Sequence, residues 1–197
     1  MKQERVFIER DCLEVILASA IEVFPRETNG LLMGGRLVKK VRGRSIRIFT
    51  LRMSYPVQTA ERKPSYVEHG NIAAVERLLK SLCAMGKNIA GGYHSHPEPK
   101  AHTRLTKSDM DFIGDEMKRY RDCKGFRGWR RWIELVVSIK ERGYEKRVKA
   151  RESLSLERGR VIAFLKGRGY TGYELKIEGY SLERVKGILK KSRVKLV

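Results

Sequence analysis

The chain has 197 residues and a net charge of +20, with 41% hydrophobic and 34% charged residues. That length supports a real core without covalent staples, and the three cysteines, Cys12, Cys83 and Cys123, are far apart, odd in number and free of any CxxC pair, which argues against a disulfide framework and a thiolate zinc site. No apolar run approaches the ~18 residues of a membrane span, and the opening MKQERVFIERD lacks the apolar stretch of a signal peptide, so the expectation is a soluble, cytoplasmic protein.

In chain order, Asp11 and Glu14 resemble a capping box ahead of a helix that carries Leu13, Ile16, Leu17, Ala20, Ile21 and Phe24 at helical spacing. Pro25 lies just past its end. NGLLMGG, Asn29 to Gly35, reads as a short buried strand, and RLVKKVRGRSIRIFTLRM as two strands around a turn near Gly43. Pro56 and Pro64 frame a loop with an extended piece near Tyr66. A second helix is predicted from Asn71 to Met85, stopped by Gly86. NIAGGYHSH then forms a strand, Pro97 and Pro99 force a loop, and Thr106 with Asp109 opens a third helix. WIELVVSIK is a strongly apolar strand. Weaker strands follow at Arg147–Arg151, Arg160–Leu165 and Tyr173–Ile177, and Ser181 with Arg184 marks the start of a final short helix. Cys12 and Cys83 fall in apolar helical patterns and read as core residues. The mixed order predicts an α+β fold, or α/β with a mixed sheet. Residues 1–150 form its main body and 151–197 complete the same domain.

Three of the four histidines, His94, His96 and His102, lie in GGYHSHPEPKAHTRLTKSDMD. Residues two apart on a strand share a face, so His94 and His96 project together, ~7 Å apart by the rise per residue. Pro97 turns the chain away, and the next helix can return one carboxylate. Two histidines and a carboxylate leave the open coordination position that a catalytic zinc needs. His102 reads as an exposed loop residue, and His69 as a loop or helix-start residue. Gly91 and Gly92 signal tight packing or a close backbone approach.

His94-Ser95-His96-Pro97, followed by a hydroxyl residue and an aspartate three positions on, resembles the JAMM (MPN+) metalloprotease family, whose pattern is an upstream Glu, HxHP, a spacer and SxxD. FPRETNGLLMGG resembles the family's Glu-x-x-Gly-Leu-Leu-x-Gly segment, which makes Glu27 the counterpart of the catalytic glutamate. The resemblance covers roughly residues 5 to 140. It departs from the pattern in having Thr106 at the serine position and, between His96 and Thr106, a spacer about two residues longer than the family's. A second register, Ser108 with Asp111, has the same spacing; Thr106 with Asp109 is preferred because Leu105, Met110 and Phe112 match the apolar pattern around the motif.

The resemblance implies an MPN/cytidine-deaminase-like central mixed β-sheet flanked by helices, with Zn2+ held by His94, His96 and Asp109. It implies Glu27 as general base and Thr106 as donor to the oxyanion. The implied substrates are isopeptide or peptide bonds after the C-terminal Gly-Gly of ubiquitin-like modifiers or sulfur-carrier proteins and their conjugates. A reading of another class is a nucleic-acid-binding module, motivated by the charge and by CKGFRGWRRW, Cys123–Trp132, where aromatics interleave with arginine. The charge reads first as general solvation of the surface, then as a match to an acidic protein partner, and last as a match to nucleic acid.

Overall fold

A computed structural model describes residues 4–41, 44–58, 60–63, 66–120, 131–143, 152–167 and 171–197. Among them are twelve strands and three helices: β1 (Arg5–Ile8), α1 (Arg10–Val23), β2 (Asn29–Val41), β3 (Arg44–Pro56), β4 (Ala60–Lys63), β5 (Tyr66–His69), α2 (Ile72–Ala84), β6 (Ile89–Pro97), α3 (Lys107–Arg119), β7 (Arg131–Gly143), β8 (Ser153–Glu157), β9 (Arg160–Lys166), β10 (Thr171–Val185), β11 (Ile188–Arg193) and β12 (Lys195–Leu196). The strand expected at Arg147–Arg151, the turn at Gly43, Cys123 and most of the basic aromatic segment lie outside the described residues.

Ten strands form one sheet in the order β12-β1-β3-β2-β6-β7-β10-β9-β8, with β11 added to β10, while β4 and β5 make a separate hairpin. The sheet curls until its ends nearly meet. At one end, the Leu196 N–H of β12 donates to the carbonyl of Gly159, in the turn between β8 and β9, at 3.1 Å. The expectation of a central sheet flanked by helices is therefore corrected: strands dominate, and the sheet is a nearly closed, barrel-like wall. Long strands cause this, because β2, β3, β7 and β10 each run for 13 to 15 residues and accumulate twist.

α1 packs Cys12, Leu13, Ile16 and Ala20 against Val6, Leu51, Leu135 and Ile177 inside the curl. α2 and α3 pack on the other face with Leu31, Ile89, Trp132 and Val136. β7 alternates between the two clusters, so it reads as one continuous apolar run. The helix expected to be capped by Asp11 starts two residues earlier, at Arg10. Its N-cap is Glu9, with no side-chain cap, so the capping box does not form; the chain enters straight from β1, and the Glu9 N–H is held by the Leu51 carbonyl at 2.9 Å.

No helix forms at Ser181–Arg184. β10 continues through this stretch, paired with β7 on one side and with β11 on the other from Tyr180 to Val185. Its first half instead pairs with β9. At the handover, the buried Glu178 carboxylate meets Arg160 at 2.9 Å and also the Arg193 guanidinium. The β10–β11 hairpin then reaches the other side of the molecule: Tyr180 Oη donates to the Thr103 carbonyl and Lys191 Nζ to the Leu105 carbonyl, each at 2.8 Å. The last strands therefore hold the loop that leads into α3.

Among the described residues no helix is long and apolar enough to cross a membrane.

Candidate metal centre

β6 is buried along its whole length, antiparallel to β2 and parallel to β7. The β2–β6 register slips at Leu32/Met33, where Gly91 and Ile89 are the successive partners and Ala90 is left over. This bulge decides which face the histidines take. Beyond it, Gly91 and Tyr93 face the α1 side, and His94 and His96 face α3. Gly91 is required for strand spacing, since a Cβ there would stand 1.7 Å from the Ile133 carbonyl oxygen.

The two imidazoles converge more closely than the strand rise suggests, with ring centroids 4.8 Å apart at 66°. α3 brings in the carboxylate. Thr106 is its N-cap: Thr106 Oγ1 accepts from the Asp109 N–H at 3.2 Å, and Asp109 Oδ2 accepts from the Thr106 N–H at 2.6 Å. The same Oδ2 lies 3.7 Å from His94 Nε2 and 3.6 Å from His96 Nε2. Those separations are too long for hydrogen bonds. They are a few tenths longer than the ~3.3 Å between two ligand atoms held tetrahedrally at about 2.0–2.1 Å from one zinc. One ligand atom from each of His94, His96 and Asp109 lies within 4.8 Å of the other two. Asp111 is exposed and takes no part.

The other nitrogen of each ring is engaged. His94 Nδ1 meets Glu134 Oε1 at 2.7 Å, and His96 Nδ1 meets the His102 carbonyl at 3.0 Å. His94 Nε2 is buried with no hydrogen-bond partner among protein atoms. A buried nitrogen without a partner, aimed at a carboxylate and a second imidazole, is what a cation site looks like before its ion is added, so the residues fit a divalent metal. Burial alone would lower the His94 pKa, but the Asp109 and Glu134 carboxylates outweigh it and push it up to about 10. Burial also opposes ionisation of Asp109, and the two imidazoles overcome it, holding Asp109 well below the usual carboxylate range.

Glu27 precedes β2 and is buried. Ser95, between the two histidines and on the opposite face, fixes the segment: its hydroxyl accepts from the Thr28 N–H and its own N–H donates to the Thr28 carbonyl, both at 2.9 Å. Burial raises the Glu27 pKa to about 7 against the pull of His96 and His94, which places its carboxyl in the field of the cluster. Thr106 is exposed; its hydroxyl oxygen is used as an acceptor, and its hydrogen remains available to a ligand.

Three roles were not legible in the motif. Ser95 and Glu134 act from across strand pairings. His102, expected to be an exposed loop residue, is half-buried with its ring 4.3 Å from that of His96; burial and the neighbouring imidazole lower its pKa. His69 belongs to β5 rather than to a loop or a helix start. For Cys123–Trp132, only Arg131 and Trp132 are described, both in β7.

No family model matches the chain, and no curated protein matches it. Among solved structures it is similar to the solution structure of protein DSY2949 from Desulfitobacterium hafniense, at 16% identity over 98% of this chain and 92% of that one, with a TM-score of 0.49.

Proposed function

We propose that this chain is a zinc-dependent hydrolase that uses the ligand set of the JAMM (MPN+) metalloproteases, acts in the cytoplasm, and cleaves isopeptide or peptide bonds after the C-terminal Gly-Gly of a ubiquitin-like modifier or sulfur-carrier protein. The observation that carries this reading is the approach of Asp109 Oδ2 to His94 Nε2 and His96 Nε2, with a buried Glu27 that feels the charges of all three residues. The ligand residues, rather than the architecture of the sheet, support the family resemblance.

His94, His96 and Asp109 hold the ion. A zinc in such a three-ligand set supplies Lewis-acid chemistry, acidifying water and polarising a carbonyl. Glu27 takes the proton at its carboxylate and returns it to the leaving amine. A pKa raised by burial to about 7 lets one group both accept and release a proton near neutral pH. Thr106 Oγ1 donates its free hydrogen to the oxygen that gains charge. A thin, extended Gly-Gly tail suits a narrow groove, and the charge of +20 favours encounter with an acidic modifier. The nucleic-acid reading rests on the charge and on Cys123–Trp132, of which only Arg131 and Trp132 are described.

The test is Glu27→Gln, assayed on a ubiquitin-like protein fused through its Gly-Gly tail. The variant keeps the size and hydrogen bonding of Glu27 but cannot take a proton. Zinc content should stay at the wild-type level while cleavage falls by about 10²–10⁴-fold. Cleavage at the wild-type rate would remove Glu27 from the reaction.

A further inference from the structure

The residue behind His94 is chemically unambiguous. Trp132 Nε1 can only donate a hydrogen bond, and it reaches Glu134 Oε2 at 2.6 Å. Glu134 Oε1 lies 2.7 Å from His94 Nδ1. An ionised carboxylate only accepts, so the proton between Glu134 and His94 sits on Nδ1. His94 is left to bind through Nε2, the atom that faces Asp109. Glu134 and Trp132 share one face of β7, next to β6, and both are buried. The indole lies parallel to the Tyr120 ring, with centroids 5.5 Å apart and planes 5° apart, which keeps it from swinging away. Gly92 provides the room, because a Cβ there would stand 3.0 Å from Trp132 Cζ2 and 3.1 Å from Glu134 Oε2.

We propose that Glu134 is a positioning residue of the metal centre, held in place by Trp132, which fixes His94 as an Nε2 ligand and puts a negative charge behind it. This rests on the metal-site reading above. The two histidines are then supported differently. A backbone carbonyl holds His96, and no side-chain substitution removes it. A carboxylate holds His94, and that carboxylate depends on the indole. Such carboxylate–histidine pairs orient the ring and raise its basicity toward a metal.

The test is a zinc Kd, measured by chelator competition on the full chain, for wild type, Glu134→Gln, Trp132→Phe and the double variant. Glutamine has one accepting oxygen for two donors, so one donor loses its partner. Glu134→Gln should weaken zinc binding about 10–100-fold, and Trp132→Phe should weaken it by less. The double variant should bind no more weakly than Glu134→Gln alone, because the indole acts only through the carboxylate. In the zinc-loaded wild type, a long-range 1H–15N spectrum should show His94 protonated at Nδ1, with the proton shifted far downfield; Glu134→Gln should return it upfield, which a packing role alone would not do. If Glu134→Gln fails to fold, Trp132→Phe and the wild-type spectrum still decide. An unchanged Kd in Glu134→Gln, additive effects in the double variant, or His94 bound through Nδ1 would each overturn the proposal while leaving the metal site standing. A wild type that binds no zinc would bring down the metal-site reading, and the proposal with it.

Discussion

Asp109 Oδ2 accepts the Thr106 backbone N–H at 2.6 Å, and with that same oxygen it faces both imidazoles. The reciprocal capping box that starts α3 is therefore also what aims the third ligand. One hydroxyl and one carboxylate start the helix and build the site together.

Thr106 is thus predicted to have two separable roles. Thr106→Ala should lower stability by about 1 kcal/mol through loss of the cap. It should reduce zinc affinity only slightly, because the backbone N–H that holds Asp109 survives. If the hydroxyl also donates to the oxyanion, kcat should fall about 10²–10³-fold. Thr106→Ser should keep both properties. Chemical denaturation and steady-state kinetics on the three proteins check this; equal losses in the Ala and Ser variants would contradict it.

The pH dependence follows from three groups. The His94 pKa is raised from 6.5 to about 10, so its contribution to stability is complete below pH 6.5 and is lost as pH rises toward 10. The Glu27 pKa is raised from 4.5 to about 7, so stability is lost between those values as its carboxyl must ionise while buried. Asp109 is depressed below 3.8, so its contribution is present above that value and lost as pH falls. The metal-free protein should therefore be most stable at mildly acid pH and should weaken steadily toward alkaline pH. Zinc must displace the His94 proton, so zinc affinity should rise about tenfold per pH unit through neutrality if one proton leaves per ion. Thermal melts and zinc titrations across pH check both; an affinity independent of pH would contradict the raised His94.

Gly92 is predicted to be intolerant of even a methyl group. A Cβ would meet Trp132, Glu134 and, at 3.2 Å, the Gly30 carbonyl oxygen. None of these can move easily, since the first two are buried and hydrogen-bonded and the third is backbone. Gly92→Ala should lower stability by about 1–3 kcal/mol and weaken zinc binding by displacing Glu134. A variant as stable as wild type, with unchanged zinc affinity, would show that the cleft relaxes freely.

The legible part of the molecule was the part governed by local periodicity and spacing. His94 and His96 share a face because a strand repeats every two residues, and Asp109 follows Thr106 because a helix start needs that pair. The remainder depends on pairing between distant segments. Glu134 reaches His94 from 40 residues away and Ser95 reaches Thr28 across 67, and no local pattern encodes either. The sheet was underestimated for the same reason. ILKKSR of β11 and the two residues of β12 carry almost no apolar alternation and are strands only because β10 and β1 pair with them. SLER resembles a helix start, but Leu182 is fully buried within a three-strand pairing that overrides local preference. These added strands turn an expected helix-flanked sheet into a curled wall.

The central claim is tested most directly by counting zinc per chain after exhaustive dialysis, in wild type, His96→Ala, Asp109→Asn, Asp111→Asn and His102→Ala. The first should retain about one equivalent, the number that a single three-ligand site holds. His96→Ala and Asp109→Asn should retain none. Asp111→Asn should match wild type because Asp111 is exposed, and His102→Ala should match it because the carbonyl that holds His96 is backbone. A wild type without zinc, or zinc lost from Asp111→Asn and kept by Asp109→Asn, would contradict the account.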